Sequence, residues 1–301
     1  MSEERGRQTR PAKPGGRPGR RRPRGAKSSG NRPFAQAARQ PANAPAPPTG
    51  PADLLLKRLL YRDGLVLIID KPAGLPVHAG PGGGDNVEQY LDALRFGLPR
   101  LPALAHRLDR DTSGCLVLGR HHKALRKLGL LFSAGKVDKT YWAIVEGHPP
   151  AEIGTIDLPL LKQTLQKGWR IIVAPEGQRS VTDYRVLGKT ETMSWLELKP
   201  HTGRTHQIRV HCAEIGCPLV GDPAYGPNTA RYRAEGVPLH LLARSIALPL
   251  YPKRAPIGAT AMPPTHMLAA LKQCGYRPEA DTAATPVVTG SAVDVSTEDQ
   301  D

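Results

Sequence analysis

One short segment of this sequence is unusually rich in side chains that can perform acid–base or nucleophilic chemistry. Residues 105–114 read AHRLDRDTSG and end where an apolar stretch begins. Two arginines and two carboxylates, Asp109 and Asp111, alternate here, and an ionised carboxylate beside a guanidinium can act as a nucleophile or as a base. A salt-bridged turn that precedes a buried strand has the same composition.

Two further segments carry more polar chemistry than a fold requires. Residues 139–147 (KTYWAIVEG) open a predicted strand with Tyr141, whose ring is typical of a half-buried strand position but can also hold a flat ligand or exchange a proton. Residues 200–211 (PHTGRTHQIRVH) lead into a predicted helix with two arginines, three histidines and Gln207. Donors at a helix N-terminus suit phosphate binding, and a solvated helix face has the same composition.

The histidines and cysteines do not show the spacing of a metal site. His206 and His211 are five residues apart, which does not place both rings on one helical face, and the four cysteines lack a C-x-x-C pair. The glycine-rich loop 80–84 is not followed by Gly-Lys-Ser/Thr, so a P-loop is not expected. We expect neither a metal nor a cofactor, and we interpret the cysteines as reduced core residues of a cytoplasmic protein.

Charge divides the 301 residues, with a net charge of +15, into three parts. Residues 1–50 carry 12 Lys/Arg against 2 Asp/Glu, residues 51–277 carry 30 against 19, and residues 278–301 carry 0 against 6. We predict a disordered basic arm, a folded catalytic domain and a disordered acidic tail over these ranges. No apolar stretch approaches the length of a membrane span, and the basic charge favours a nucleic-acid partner.

The pattern of apolar residues predicts an α+β protein with a mixed, mostly antiparallel central sheet and flanking helices. The predicted strands are 65–69, 115–119, 140–145, 180–187, 193–199 and 239–248. The predicted helices run from Asp85 or Asn86 to Phe96, from His122 to Ser133, and from a Thr205 cap to Ile215.

These segments together resemble the RluA family of pseudouridine synthases. The family's His-Arg-Leu-Asp-x-x-Thr-Ser-Gly motif stands unbroken at 106–114. The resemblance continues, in the family's order, through DKPAGLPVH at 70–78, the KTY segment, the segment 203–211 and GDPAYG at 221–226. It implies the pseudouridine synthase fold and the isomerisation of uridine in RNA, in which the N1–C1′ bond is broken and a C5–C1′ bond is made, without a cofactor.

The resemblance also implies a role for each residue of a catalytic set. Asp109 would be the essential carboxylate, which either attacks C1′ or abstracts the C2′ proton to give a glycal; the sequence does not choose between these two. Arg209 would be the ion-pair partner that keeps Asp109 ionised. Tyr141 would lie against the uracil, where its phenol could help to remove the C5 proton.

Four further residues are expected to support substrate binding. Arg107 would occupy the place of the uridine once that base has left its stack, which suits a guanidinium better than an amine. His106, His206 and Gln207 match motif positions and are expected to be RNA-facing or to support the catalytic residues. Asp111 falls at a position that the family leaves open, so we interpret it as a turn or cap residue.

The expected partner is structured RNA, with large-subunit ribosomal RNA favoured over a tRNA stem-loop, and the protein is expected to be a monomer. Deletion of residues 1–50 should weaken RNA binding and flatten its salt dependence while leaving the chemical step nearly intact. Two other classes stay open. A non-catalytic RNA-binding or ribosome-assembly protein should have lost the catalytic set, and a glycoside hydrolase would need a second acid, for which Asp111, Asp222 and Glu146 are candidates.

Overall fold

The computed structural model describes residues 51–80, 83–166 and 168–283, all within the unit Pro47–Asp301. The strands are β1 (Leu59–Arg62), β2 (Val66–Lys71), β3 (Ala103–Leu104), β4 (Ser113–Gly119), β5 (Asp138–Glu146), β6 (Ile153–Asp157), β7 (Leu160–Thr164), β8 (Trp169–Val173), β9 (Val181–Lys189), β10 (Met193–Pro200), β11 (Leu241–Leu248) and β12 (Ile257–Thr260). The helices are α1 (Pro51–Leu56), a 3₁₀ helix (Val87–Leu94), α2 (His122–Ser133), α3 (Gln207–Glu214), α4 (Thr229–Glu235), α5 (Thr265–Gln273) and α6 (Pro278–Ala283).

Ten of the described strands form one sheet, in the order β1-β2-β4-β11-β5-β10-β9-β6, with β3 paired to β4 and β12 paired to β11. The β4–β11 pair is parallel, and the other pairs of this sheet are antiparallel. Strands β7 and β8 form a separate antiparallel ribbon. Helices α2, α3 and α5 pack on β4, β10 and β5. The predicted α+β class with a mixed, mostly antiparallel sheet is confirmed.

Strand β2 shows how the sheet organises the core. Because successive side chains of a strand point to opposite faces, Ile68 packs in a cluster with Met267 of α5, whereas Ile69 packs with Leu91 of the 3₁₀ helix. All four side chains from Val66 to Ile69 are fully buried. A strand covered on both faces reads as a continuous apolar run, which is why this strand could be predicted from sequence.

Two predicted helices differ in detail. The helix expected to run from residue 85 or 86 to Phe96 is a 3₁₀ helix that ends at Leu94, and Phe96 has a left-handed φ of 47°. The last predicted helix begins at Gln207, and its N-cap is His206 in the left-handed conformation rather than Thr205. The Gln207 side chain accepts a hydrogen bond from the amide of Arg204 (3.0 Å) and so stabilises the turn that precedes the helix.

The described chain continues beyond the predicted end of the domain at 277. Helix α6 occupies the first six residues of the predicted tail, and its Asp281 accepts hydrogen bonds from Arg244 and from Tyr276. The arm at 1–50 and residues 284–301 lie outside the described residues. Helices of the described chain are too short or too polar to cross a membrane. The four cysteines are buried and unpaired.

Candidate active site

The loop between β3 and β4 presents Asp109 to a pocket of about 90 Å³. Lys71 fixes the backbone of this loop: it is completely buried and donates a hydrogen bond to the carbonyl of Arg110 (2.9 Å). Its ammonium also donates to two carbonyls of the segment 72–75 (2.8 Å each), and the amide of Gly74 donates to Arg110 (3.0 Å). The position of Asp109 is therefore well defined, although its side chain stays 20% exposed to the pocket.

Arg209, in the first turn of α3, is buried beside Asp109. Its Nε and Nη2 donate to Asp222 Oδ2 (2.8 Å) and Oδ1 (2.7 Å), whereas its Nη1 lies 3.8 Å from Asp109 Oδ2. Arg209 therefore forms the predicted ion pair with Asp109, and its hydrogen bonds go to a second carboxylate, Asp222. Burial lowers the pKa of Arg209, but the hydrogen bonds and charge of Asp222 outweigh this effect, so the pKa is raised and the guanidinium stays charged.

A chain of hydrogen bonds fixes the orientation of His206. The hydroxyl of Tyr225 accepts a hydrogen bond from the amide of Ile171 (3.2 Å) and is hydrogen-bonded to His206 Nδ1 (2.8 Å). Burial lowers the pKa of His206, and its Nε2 lies 3.8 Å from Asp109 Oδ2. His206 therefore turns Nε2 toward the same carboxylate oxygen as Arg209.

Tyr141 lies on β5, between Leu198 of β10 and Ala243 of β11, and its ring lines the pocket beside Asp109. Burial raises the pKa of Tyr141, and the negative charge of Asp109 raises it further. The phenol is therefore protonated at neutral pH. It presents a flat ring to the pocket and is a poor base.

Gln207 and His106, both predicted to bind substrate, use their polar atoms within the protein. Gln207 is buried; its Nε2 donates to the Val181 carbonyl and to Thr182 Oγ1 (3.0 Å each), and it reaches the pocket only as part of the wall. His106 lies outside the pocket, where Nε2 accepts a hydrogen bond from the amide of Val117 (3.0 Å). Burial lowers the pKa of His106 to about 4, so it remains neutral. Both residues position backbone segments.

The rim of the pocket is positively charged. Arg107 and Arg204 are exposed there, and Lys139 is partly buried with a hydrogen bond to the Thr202 carbonyl (3.2 Å). Arg107 and Asp109 thus line the same pocket. Because the site also contains Arg209, an anionic polymer would meet four cations around a single carboxylate.

The three candidates for a second catalytic acid do not face the pocket. Within the described part of the chain, Asp109 is the only carboxylate that lines it. Asp111 pairs with Arg110 (3.0 Å), Asp222 is occupied by Arg209, and Glu146 accepts hydrogen bonds from Asn228 (2.8 Å). A glycosidase needs two carboxylates across one bond, so this site does not fit that chemistry.

Sequence reasoning missed three residues that organise the site. Tyr225 and Asp222 belong to the GDPAYG segment, in which Asp222 was considered only as the second acid of a hydrolase, and Lys71 belongs to DKPAG. The available signal was the position of a charged residue directly before proline in both motifs, where the chain turns. Among the described residues no group of three His, Cys, Asp or Glu side chains could hold a metal ion.

Comparisons with known proteins agree with this geometry. A family model described as RNA pseudouridylate synthase matches residues 65–214. An uncharacterized RNA pseudouridine synthase of Zymomonas mobilis is 51% identical over 177 residues, which cover 58% of this chain and 81% of that protein. Ribosomal large subunit pseudouridine synthase C of Vibrio cholerae is 37% identical over 225 residues, 72% of this chain and 70% of that protein. The structure of human RNA pseudouridylate synthase domain containing 4 is 28% identical, has a TM-score of 0.62, and is matched over 74% of this chain and 95% of its own.

Fold, site and relatives define an RNA pseudouridine synthase, an isomerase that converts uridine to pseudouridine within RNA. The two alternatives from other classes, a glycoside hydrolase and a non-catalytic RNA-binding protein, are thereby set aside. The chain belongs to the RluA family of these enzymes.

Proposed function

We propose that this protein isomerises uridine in large-subunit ribosomal RNA and that residues 51–277 form its catalytic domain. The observation that carries the proposal is the pocket, where one carboxylate, Asp109, lies 3.8 Å from both Arg209 and His206. Relatives named ribosomal large subunit pseudouridine synthase C and D match over 70% and 60% of their length and support ribosomal RNA as the substrate. A tRNA stem-loop is the alternative.

Asp109 is the residue that acts on the sugar of the bound uridine. If it attacks C1′, the N1–C1′ bond breaks and an ester to C1′ forms; if it takes the C2′ proton, uracil leaves and a glycal forms. In both cases the uracil carries the electron pair of the broken N1–C1′ bond, turns, and forms the C5–C1′ bond. On the first route this step displaces the carboxylate of Asp109 from C1′, and on the second the carboxyl of Asp109 returns its proton to C2′. C5 then loses its proton and N1 gains one. Both routes use the carboxylate of Asp109, and the cation of Arg209 lies 3.8 Å from it.

Tyr141 holds the uracil during this rotation. Its ring lies beside Asp109 and offers a flat apolar face on which the base can turn without leaving the pocket. Because the phenol pKa is raised, removal of the C5 proton by a phenolate is disfavoured. We therefore assign Tyr141 to holding the base rather than to accepting its proton.

Arg107 compensates for the removal of the uridine from its RNA stack. Unstacking a nucleotide costs on the order of a few kcal/mol, and an exposed guanidinium at the rim can stack and hydrogen-bond in the vacated position. Arg204 and Lys139, on the same rim, are placed to meet phosphates. This basic rim supports an RNA substrate, which a basic arm at 1–50 would also contact. We also propose that the enzyme is a monomer and that it is cytoplasmic, where four unpaired cysteines stay reduced.

The test is to map pseudouridine in the ribosomal and transfer RNA of cells that contain or lack the protein, and then to complement with variants. Asp109→Asn should fail to restore the missing pseudouridine, while Asp111→Asn, a neighbouring carboxylate outside the pocket, should restore it. Restoration by Asp109→Asn would overturn the assignment of the carboxylate. A site lost only from tRNA would overturn the choice of ribosomal RNA.

A further inference from the structure

The ribbon β7–β8 is built differently from the rest of the protein. It forms its own two-stranded sheet, and five of its ten strand residues are exposed. The two strands contain Lys162 and Arg170 and no Asp or Glu. A short ribbon with one sign of charge is suited to contact a polyanion.

Trp169, the first residue of β8, is 43% exposed. The other two tryptophans of the chain, Trp142 and Trp195, pack edge to face against each other and against Tyr276 in the core. The ammonium of Lys162 lies 4.8 Å from the centre of the Trp169 ring. An indole that stays accessible and carries a neighbouring cation can stack a base and pair with its phosphate.

The ring is fixed in relation to the catalytic pocket. It lies 5.1 Å from the His206 ring at an interplanar angle of 36°, and His206 is the residue that faces Asp109. Tyr225 connects the strand that carries Trp169 to His206, since its hydroxyl is hydrogen-bonded both to the amide of Ile171 in β8 and to His206 Nδ1. The indole is therefore fixed against His206, a residue that lines the pocket.

We propose that Trp169 is a stacking platform for an unpaired nucleobase that flanks the target uridine in the RNA. The proposal rests on the proposed function, because it takes the uridine to lie at Asp109. The flanking base lies on the indole, and Lys162 pairs with an adjacent phosphate. Such a contact is sequence-tolerant, because every base has a π-face, and it favours sites whose neighbouring nucleotides are unpaired.

Intrinsic fluorescence tests this contact directly, because Trp142 and Trp195 lie in the core. The probe is a stem-loop containing the mapped uridine, bound to proteins that carry Asp109→Asn so that the RNA is not converted. Binding should quench the tryptophan fluorescence, and Trp169→Phe should abolish the quenching while keeping affinity within about threefold. Trp169→Ala should weaken binding by roughly 5- to 150-fold. Ile153→Ala, at a side chain that is 70% exposed on β6, should leave affinity unchanged.

An abasic nucleotide placed on either side of the uridine completes the experiment. At one of these positions it should weaken binding to the Trp169 protein but not to the Trp169→Ala variant, because the two changes remove the same contact. Additive losses at every flanking position would overturn the platform. If Asp109→Asn abolishes pseudouridine but Trp169→Ala binds normally, the platform alone is wrong. If RNA quenches Trp169 but no pseudouridine is formed, the proposed function alone is wrong.

Discussion

Replacing Asp222 with asparagine should separate the stability of the active site from its chemistry. Asp222 is fully buried and accepts four hydrogen bonds: two from Arg209 (2.7 and 2.8 Å), and one each from the amides of Ala224 (2.8 Å) and Tyr225 (3.1 Å). Asparagine keeps the shape but leaves the guanidinium of Arg209 buried without its main countercharge. Removing one partner of a buried ion pair costs about 3–5 kcal/mol.

The same reasoning gives a much smaller number for Asp109→Asn. Asp109 is 20% exposed, and its contacts with Arg209 and His206 are both 3.8 Å, too long for a hydrogen bond. Its loss should change the free energy of unfolding by less than about 1 kcal/mol, because Arg209 keeps its hydrogen-bonded countercharge, Asp222. Asp109→Asn should therefore be folded and inactive, whereas Asp222→Asn should be destabilised and also slow, because Arg209 is then free to turn toward Asp109.

Urea unfolding measures the free energies, and the initial rate of pseudouridine formation measures the chemistry. Asp92→Asn, at a side chain that is 76% exposed, is the control and should change stability by no more than about 0.5 kcal/mol. The reasoning is refuted if Asp222→Asn unfolds within 1 kcal/mol of the wild type, or if Asp109→Asn loses as much stability as Asp222→Asn.

Three further outcomes follow from the packing around the catalytic loop. The pKa of His106 is about 4 in the folded protein and about 6.5 when unfolded, so the unfolded chain binds the proton first. The neutral His106 ring therefore contributes its full share to the free energy of unfolding above pH 6.5, and this share is lost toward pH 4 by at most about 1.4 kcal/mol per pH unit. The free energies of unfolding of the wild type and His106→Asn, plotted against pH, should converge on acidification. Parallel curves would contradict this. Lys71→Met leaves three buried carbonyls without their donor and should cost at least about 3 kcal/mol and slow the reaction; unchanged urea unfolding would argue against it. Gly114→Ala would place a Cβ 2.2 Å from the Ala243 carbonyl oxygen at a φ of +105° and should cost about 2–5 kcal/mol of stability. Gly74→Ala, where nothing lies within 4 Å of the added Cβ, should cost only about 1–2 kcal/mol. Equal thermal unfolding midpoints for the two variants would refute the clash.

The strands of the central sheet could largely be predicted, because their apolar runs and alternation are local features. Helix α2 has the predicted bounds, and β5, β9, β10 and β11 lie within about two residues of the prediction. The ribbon β7–β8 was not predicted, since each of its strands has a single buried residue, Leu160 or Ile171, which is too little to produce a recognisable alternation. The 3₁₀ helix was read as α-helical because both types of helix place apolar residues three or four positions apart.

The catalytic residues were predicted as a set because each belongs to a short contiguous motif. The second acid that pairs with Arg209 was not predictable in this way. Asp222 lies 13 residues from Arg209 and outside α3, so only the fold of the chain after this helix brings the two side chains together. His106 was assigned to RNA for a similar reason: its place in the motif is known from the sequence, but the direction of its ring is not.

The sequence by itself determined the fold class, the family and the residues that can act on uridine, because motif identity and periodicity do not depend on distant parts of the chain. The tertiary structure decided what those residues do to each other. Burial and the neighbouring charge of Asp109 raise the pKa of Tyr141, a hydrogen-bond chain from Tyr225 orients His206, and the separate ribbon brings Trp169 beside the pocket. These are consequences of distance and desolvation, and both arise only when segments far apart in sequence pack together.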